Sequence, residues 1–587
     1  MYLKTILMTT LLMMFGGAVY ARHHYIKREV MIPMRDGTGL YAAIYIPNRA
    51  AKKSCPIVMM RTPYGCKPYG QEISDLFDRD YWKEYASRGY IIVSQDVRGR
   101  YHSEGTFVHL NPQEALDAYD TADWLVNNLP ESNGRIGVVG CSYGGYFAFM
   151  AGVAGHPAIR IVSPQAPVTD WWMGDDMHHN GAFCPTGGGF LDYMQYGEQE
   201  DYQSLPNTQV STQYDEYLNY GSIANLTQHL NSERNNDFWN EMVKHPDYDD
   251  WWQQLDTRRY VSQLKVPAIL ITGGAFDGED YFGTIALYDA IVQQRPDIDC
   301  HRAIGPWTHG GWRRYTKKLG SWRFAYFTSP AKTYMRKVEI PMMEKYLHPQ
   351  STEAIDIAKE YFFITGANRW TTAPLSQPAL QLYMHADGTL SAFHPQEGKS
   401  TYISDPANLV PSNEAKNDGK DYMYADQRFL QGRDDVLSFQ TAPLQYDYTF
   451  RGNAKVHLSV SLTTEDADFF VKIIDVSPRG EQLMIRSEMM RGKYRKMQYG
   501  KPETYQPTPF SITEINDFEI SLLPFNHTFK RGHRLMVQIQ SSAFPLFDRN
   551  PQIFTDIYNC SPDDFVKSTI TLHHSANHAC YILLPSE

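Results

Sequence analysis

The sequence predicts an α/β protein in two parts: a parallel-sheet domain carrying a helical insertion, then an all-β domain. Three observations predict it. Short, unbroken apolar runs alternate with helical patterns as far as Asp170; the rhythm stops there and resumes near Val266; beyond about Glu360 alternating β segments follow, broken by Gly, Asp, Asn and Pro. Unbroken apolar strands belong to parallel sheets covered on both faces, whereas alternation between closely spaced turns belongs to β-sandwiches. At 587 residues the chain exceeds what one hydrophobic core holds, so two or three domains are expected.

Residues 1–21 read as a signal peptide. Lys4 gives a positive start, "ILMTTLLMMFGGAV" an apolar stretch and "VYA" a small-residue site, so cleavage is expected near Ala21 and export to the periplasm or exterior. The apolar run is too short and wrongly flanked for a membrane span. Residues 22–170 form the first part of the sheet domain. A hairpin is predicted in "REVMIPMRDGTGLYAAIYIP" around its DG turn, then strands in "PIVMMR", "YIIVSQ", "RIGVVG" and "IRIVSP", with a helix over 112–128. Residues 171–264, rich in Trp, Tyr, Asn, Gln and Asp, read as the helical insertion, placed where caps over active sites commonly lie. Residues 265–359 resume the sheet with "VPAILITGG" and "HRAIGPW", and residues 360–587 read as a sandwich or jelly roll.

Composition narrows the function. Charged residues at 21% and hydrophobic ones at 42% are those of an ordinary globular protein. A net charge of -11 without a basic run argues against nucleic-acid binding. The seven cysteines have no metal-type spacing and are expected to be mostly buried thiols, with a Cys560–Cys580 bridge left open. No metal or cofactor is indicated.

The chemistry starts at Gly140-Cys141-Ser142-Tyr143-Gly144, a G-x-S-x-G motif between an apolar strand and an apolar helix. Flanking glycines let the chain turn sharply, so that the Ser142 hydroxyl projects above the sheet and the Tyr143 N–H faces the developing oxyanion. Cys141 is expected to point away from the site. This is the nucleophile elbow of an α/β-hydrolase, in which an acid and then a histidine follow the serine in sequence. "ILITGGAFDG" supplies Asp277 at a strand end, and "IGPWTHGGW" supplies His309 in a glycine-flanked loop; His178, His179 and His301 are weaker candidates. His309 would take the Ser142 proton while Asp277 fixes its tautomer. Tyr64, after the strand "VMMR", is a candidate for the second oxyanion donor.

Three acids, Asp277, Glu279 and Asp280, crowd "GGAFDGEDYFG". One orienting carboxylate needs no companions. Glu279 and Asp280 are open to a plain alternative, as first-turn acids favouring the dipole of the helix that follows.

Taken together, "RTPYG", "DVRGRYHSEG", "GCSYGG", "FDGED" and "GPWTHG" make the mature chain resemble the cocaine esterase / Xaa-Pro dipeptidyl-peptidase family. Within it the resemblance is greatest to the α-amino-acid ester hydrolases and the relatives named glutaryl-7-aminocephalosporanic acid acylases. The later segments "SDPAN", "QRFLQGRDDVLSFQTAPL" and "FKRGHRLMVQIQSSAFPLFDRNPQ" agree. The resemblance implies an α/β-hydrolase domain, a helical cap and a C-terminal jelly roll. It implies Ser142, Asp277 and His309 as triad, with the Tyr143 N–H and the Tyr64 hydroxyl as oxyanion hole. It further implies that Asp176, Glu279 and Asp280 bind the α-ammonium of the substrate, and that the chain forms a homotetramer. Crowded carboxylates make physical sense only opposite a cation, since they raise one another's pKa.

The expected activity is hydrolysis or transfer of α-amino-acyl groups from esters or amides. A peptidase cleaving after proline is the near alternative. A carboxylesterase or glutaryl-amide acylase without an amino requirement is another, although a dicarboxylate side chain fits poorly beside three acids. A surface-binding module sits badly with an intact elbow, acid and histidine in order.

Overall fold

The computed structural model describes residues 24–51, 53–73, 77, 79–199, 212–324, 327–348, 356–416 and 422–585. The expected signal peptide, 1–21, lies outside the described residues.

The first domain is built on a ten-stranded sheet. Its strands are β1 (Tyr25–Pro33), β2 (Gly39–Pro47), β3 (Cys55–Thr62), β4 (Ile91–Asp96), β5 (Ser132–Ser142), β6 (Ile159–Pro167), β7 (Ala268–Gly274), β8 (Asp299–Gly305), β9 (Glu360–Ile364) and β10 (Arg369–Thr371). They lie in the order β1-β2-β4-β3-β5-β6-β7-β8-β9-β10. From β4 across to β9 neighbouring strands run parallel. The predicted hairpin, β1–β2, pairs antiparallel at one edge. Every residue of β7 is buried, which is why it reads as an unbroken apolar run; β2, expected to alternate as half of the hairpin, is buried throughout as well. Helix α1 (Gln113–Asn128) and the almost wholly buried α2 (Tyr143–Ala154) cover this sheet.

Between β6 and β7 the chain leaves the sheet as predicted. A short hairpin pairs His178–His179 with Ala182–Phe183, and α3 (Gly187–Tyr196), α4 (Gln213–Tyr220), α5 (Ile223–Glu233), α6 (Asp237–Met242) and α7 (Asp250–Leu255) follow. The tryptophans that mark this stretch fill its interior: Trp171, Trp172, Trp239 and Trp252 are almost completely buried. After β7, helix α8 (Tyr281–Gln294) packs closely on the end of β6, where a Cβ at Gly283 would meet the Pro167 carbonyl at 2.0 Å.

The C-terminal part is β-rich, with a seven-stranded and a four-stranded sheet of antiparallel pairs. The two share one core, in which Val456, Leu458 and Val460 of one sheet meet Phe469, Val471 and Ile473 of the other. Arg491 lies buried between Asp468 and Asp548. Asp548 in turn joins Phe183 of the insertion, accepting its N–H and donating to its carbonyl.

The structure adjusts two expectations. The boundary at 359/360 falls before β9 and β10, which extend the first sheet, β9 pairing with β8 and β10 with β9. The turn-rich pattern that marks the change of character therefore begins inside the sheet it was expected to leave. All seven cysteines are free thiols, so Cys560 and Cys580 form no bridge. Cys560 donates to the Ile557 carbonyl and Cys580 to that of Ser459, each within its own packed surroundings.

Candidate active site

Ser142 ends β5 and precedes α2 with φ 61° and ψ −128°, a strained backbone for a residue with a Cβ. The glycines around it act through contact. A Cβ at Gly140 would lie 1.9 Å from the Gly144 carbonyl, and one at Gly145 would lie 2.8 Å from Pro167 Cα. The turn is thus compressed between strand and helix, as a nucleophile elbow requires. Tyr143 opens α2, where backbone N–H groups lack helical partners. Its side chain is fully buried, and its hydroxyl accepts the Leu110 N–H at 2.8 Å.

Asp277 and His309 sit on neighbouring loops after β7 and β8. Those loops are zipped together by Ala275 N–H to the Gly305 carbonyl and Phe276 N–H to the Trp307 carbonyl. No side chain fits between them, because a Cβ at Gly274 would meet the Trp307 carbonyl at 2.2 Å. The result is an ion pair, His309 Nδ1 to Asp277 Oδ2, at 3.0 Å. The other Asp277 oxygen accepts the N–H groups of Glu279 and Asp280. Burial alone would raise the Asp277 pKa, but the His309 charge and these N–H groups hold it below the usual carboxylate value. Burial likewise disfavours the His309 cation, yet Asp277 and Glu279 outweigh it and push the imidazole pKa well above its ordinary value.

His309 Nε2 lies 3.9 Å from Glu279 Oε2 and 4.0 Å from Cys141 Sγ. Cys141 therefore does not point away from the site: it lines the same cavity as Ser142. The sharp turn at Ser142 swings the preceding side chain towards His309. Of the weaker candidates, His179 lines the cavity shared with Asp176 and Glu279, its Nδ1 3.7 Å from Glu488, whereas His178 and His301 are engaged elsewhere. His178 Nε2 meets the Tyr558 hydroxyl, and His301 is held between Asp299 and the Ala358 carbonyl.

Tyr64 follows β3 and stacks on Tyr193 of α3. Desolvation and the Asp176 charge push its phenol pKa up, opposed by a hydrogen-bonding interaction with Ser142. A phenol that resists ionisation keeps its proton to donate.

Asp280 bears on the two readings of the acid cluster. It stands at the N-terminus of α8, yet its side chain caps nothing. It is completely buried, and neither carboxylate oxygen has a hydrogen-bond partner. Burial and the neighbouring Asp176, Asp175 and Asp277 push its pKa well above the ordinary value, with His309 opposing. A helix-capping acid would be wet or hydrogen-bonded; this one is neither. Asp176 accepts the Trp171 indole N–H at 3.1 Å. Its neighbour Asp175 is a clamp, accepting the N–H groups of Thr169, Asp170 and Gly283 and so tying the insertion to α8.

Two cavities meet at Asp176, Glu279 and His309. One, of about 630 Å³, holds Ser142 and Tyr64; the other, of about 340 Å³, lies between insertion and C-terminal domain. Residues that the sequence did not single out complete the walls: Phe190 of the insertion, and Tyr422 and Leu546 of the β-rich domain. Phe190 and Leu546 lie in segments without catalytic-type motifs, so only the fold brings them in. Tyr422 is held by Gly278, where a Cβ would meet its ring at 2.6 Å.

The chain matches the family described as X-Pro dipeptidyl-peptidase (S15 family) over residues 36–311. The X-Pro dipeptidyl-peptidase C-terminal non-catalytic domain matches over residues 359–583. It is 28% identical to a cocaine esterase of Rhodococcus sp. (strain MB1 Bresler), over 96% of this chain and 99% of that protein. Among solved structures, an α-amino acid ester hydrolase is 33% identical with a TM-score of 0.89, covering 96% of this chain and 97% of that one. An aminopeptidase from a marine sediment archaeon, Thaumarchaeota archaeon, is also 33% identical, with a TM-score of 0.88 and 96% of each chain covered. The S15 match spans the elbow, Asp277 and His309, and the 33% identity extends over nearly the whole of both chains; the chain belongs to the X-Pro dipeptidyl-peptidase (S15) family of serine hydrolases.

Proposed function

We propose that this serine hydrolase acts on esters or amides of α-amino acids whose amino group is free, and that the Asp176–Glu279–Asp280 cluster receives the ammonium. The supporting observation is Asp280, fully buried and without a hydrogen bond beside Asp176, Asp175 and Asp277, with His309 Nδ1 3.7 Å away. One imidazole does not balance several crowded carboxylates, so a further cation offsets part of a cost of several kcal/mol, on the order of the desolvation of a buried ion. An ammonium bound there holds the adjacent carbonyl at Ser142 and turns the reaction into one between positioned groups.

In this mechanism the Ser142 hydroxyl oxygen bonds to the carbonyl carbon, and His309 Nε2 takes its proton. The Tyr143 N–H and Tyr64 O–H stabilise the oxyanion. As the C–O or C–N bond breaks, His309 passes the proton to the leaving alcohol or amine, leaving an acyl-enzyme. Water, deprotonated by His309, then attacks the acyl carbon and frees Ser142 with its proton restored. An acceptor amine in place of water would give transfer. The leader over residues 1–21 would place the activity outside the cytoplasm.

The test compares a phenylglycine or alanine ester with its des-amino counterpart. A large preference for the amino ester is expected, and equal rates would refute the cluster's role. The S15 match also favours a second reading, cleavage after proline. Faster turnover of alanyl-prolyl anilide than of the alanine ester would move the assignment there.

A further inference from the structure

The cavity that holds Ser142 is electrically asymmetric. At one end stand Asp176 and Glu279; the rest of its wall carries Arg61, Lys67, Arg79 and Arg313, of which Arg61 is ion-paired with the buried Glu114. Arg313 lies four residues beyond His309, at the end of the short helical turn Gly311–Arg313. That turn is anchored by Trp312, fully buried, whose indole N–H donates to Gln165 at 2.8 Å. The position of Arg313 is therefore fixed, yet among the described residues its guanidinium has no salt-bridge partner. Among the described residues it makes no hydrogen bond or salt bridge, and Nε and Nη2 are buried without partners. Its neighbour is the Tyr81 ring, 5.5 Å from Cζ. The buried Glu339 accepts the hydroxyls of Tyr81, Tyr85 and Tyr334, and Arg313 reaches it through its charge rather than through a hydrogen bond. Lys67, exposed at the mouth, lies 5.7 Å from the Tyr101 ring and makes no salt bridge among the described residues.

We propose that Arg313, assisted by Lys67, receives a carboxylate on the leaving group, so that the substrate is a zwitterion: a short peptide with a free ammonium on its acyl residue and a free carboxylate beyond the scissile bond. The proposal rests on the ammonium reading of the acid cluster and adds the opposite pole. Charge order alone then sets the direction of binding, because a reversed peptide would put its carboxylate among acids and its ammonium against a guanidinium. A cavity of about 630 Å³ has room for two residues together with water. A buried hydrogen bond to a charged group contributes about 1.5–3 kcal/mol, which corresponds to about 10- to 100-fold in binding.

The experiment uses the full chain and four probes: alanyl-alanine, alanyl-alanine amide, N-propionyl-alanine and alanine methyl ester. Each peptide probe is read both as a substrate and as a competitive inhibitor of ester turnover, so a peptide that is bound but not cleaved still reports. Wild type is expected to favour alanyl-alanine over its amide by about tenfold or more, mainly through KM or Ki. Arg313→Gln, and Arg313→Lys in smaller measure, should reduce that ratio towards one, with Lys67→Gln having a partial effect. No preference for the carboxylate in wild type overturns the proposal. So does an Arg313→Lys variant that retains the wild-type melting temperature and the full ratio, or variants that weaken dipeptide and amide equally, which is the mark of a purely structural arginine. N-propionyl-alanine separates the two readings: if it is handled as well as alanyl-alanine, the ammonium site fails while the carboxylate ratio still reports on Arg313.

Discussion

His309 Nε2 lies 3.9 Å from Glu279 Oε2, so the nitrogen that should accept the Ser142 proton faces a carboxylate of the acid cluster. Base and cluster are therefore one electrostatic unit. In the free site the imidazolium supplies the positive charge that the acids lack.

A pH consequence follows from the sign of this coupling. Glu279 helps to raise the His309 pKa, and the base works only when neutral, so activity is lost as pH falls through that raised value. Removing the Glu279 charge lowers the His309 pKa. Glu279→Gln should therefore shift the acid limb of the kcat/KM profile to lower pH, by about one unit or more for a charge at this separation. An unmoved midpoint in a pH–rate titration would separate the two sites.

Binding should also release protons. His309 and Asp280 both have pKa values well above their ordinary ones. An ammonium entering the cluster repels the imidazolium proton and favours the Asp280 anion, so it lowers both. Calorimetric titration of Ser142→Ala with alanine methyl ester, in buffers of different ionisation enthalpy, should show net proton release near neutral pH. Methyl propionate should give none. Identical proton counts for the two ligands would count against an ammonium site.

The nearness of Cys141 to His309 makes the nucleophile's identity worth testing directly. Ser142→Ala should lose on the order of 10³-fold or more in kcat, with its melting temperature kept. Cys141→Ala should keep most of the activity, because the strained backbone is at Ser142 and the thiol is the residue before the elbow. The reverse pattern would assign the acyl-enzyme to sulfur.

Asp280→Asn should trade function for stability. The raised Asp280 pKa means that folding favours its protonated form, so the native state loses stability as pH rises from the unfolded carboxylate value of about 4 through the higher native one. The amide does not titrate. Denaturation curves should therefore show the variant gaining on wild type as pH rises, while its preference for amino over des-amino ester falls by about tenfold or more. Parallel stability curves from pH 4 to 8 would contradict a raised pKa for this buried acid.

The fold was legible where burial imposes pattern. The strands β3 to β8 stand within a few residues of the apolar runs that predict them, because a parallel sheet covered on both faces leaves few exposed positions to break the run. The segment 171–264 was legible by the reverse signal, an aromatic-rich stretch without buried strands. Of the site, Ser142, Asp277 and His309 could be read from motif and order. Asp280 could be named, but its dryness could not, since one sequence describes both a capping acid and a buried one. Arg313 and Leu546 were illegible for another reason. Their significance lies in what they face, and that is set by contacts between segments far apart in the chain.

A side chain at position 278 would collide with the ring of Tyr422. The loop bearing Asp277 and Glu279 is thus cast against a residue of the C-terminal domain, the part whose family description calls it non-catalytic. A side chain at position 278 therefore requires a change at position 422. A chimera that exchanges the C-terminal domain for a relative's would import that relative's loop pose along with it. Selectivity for the acyl group would then be inherited from the half of the gene that encodes no catalytic residue.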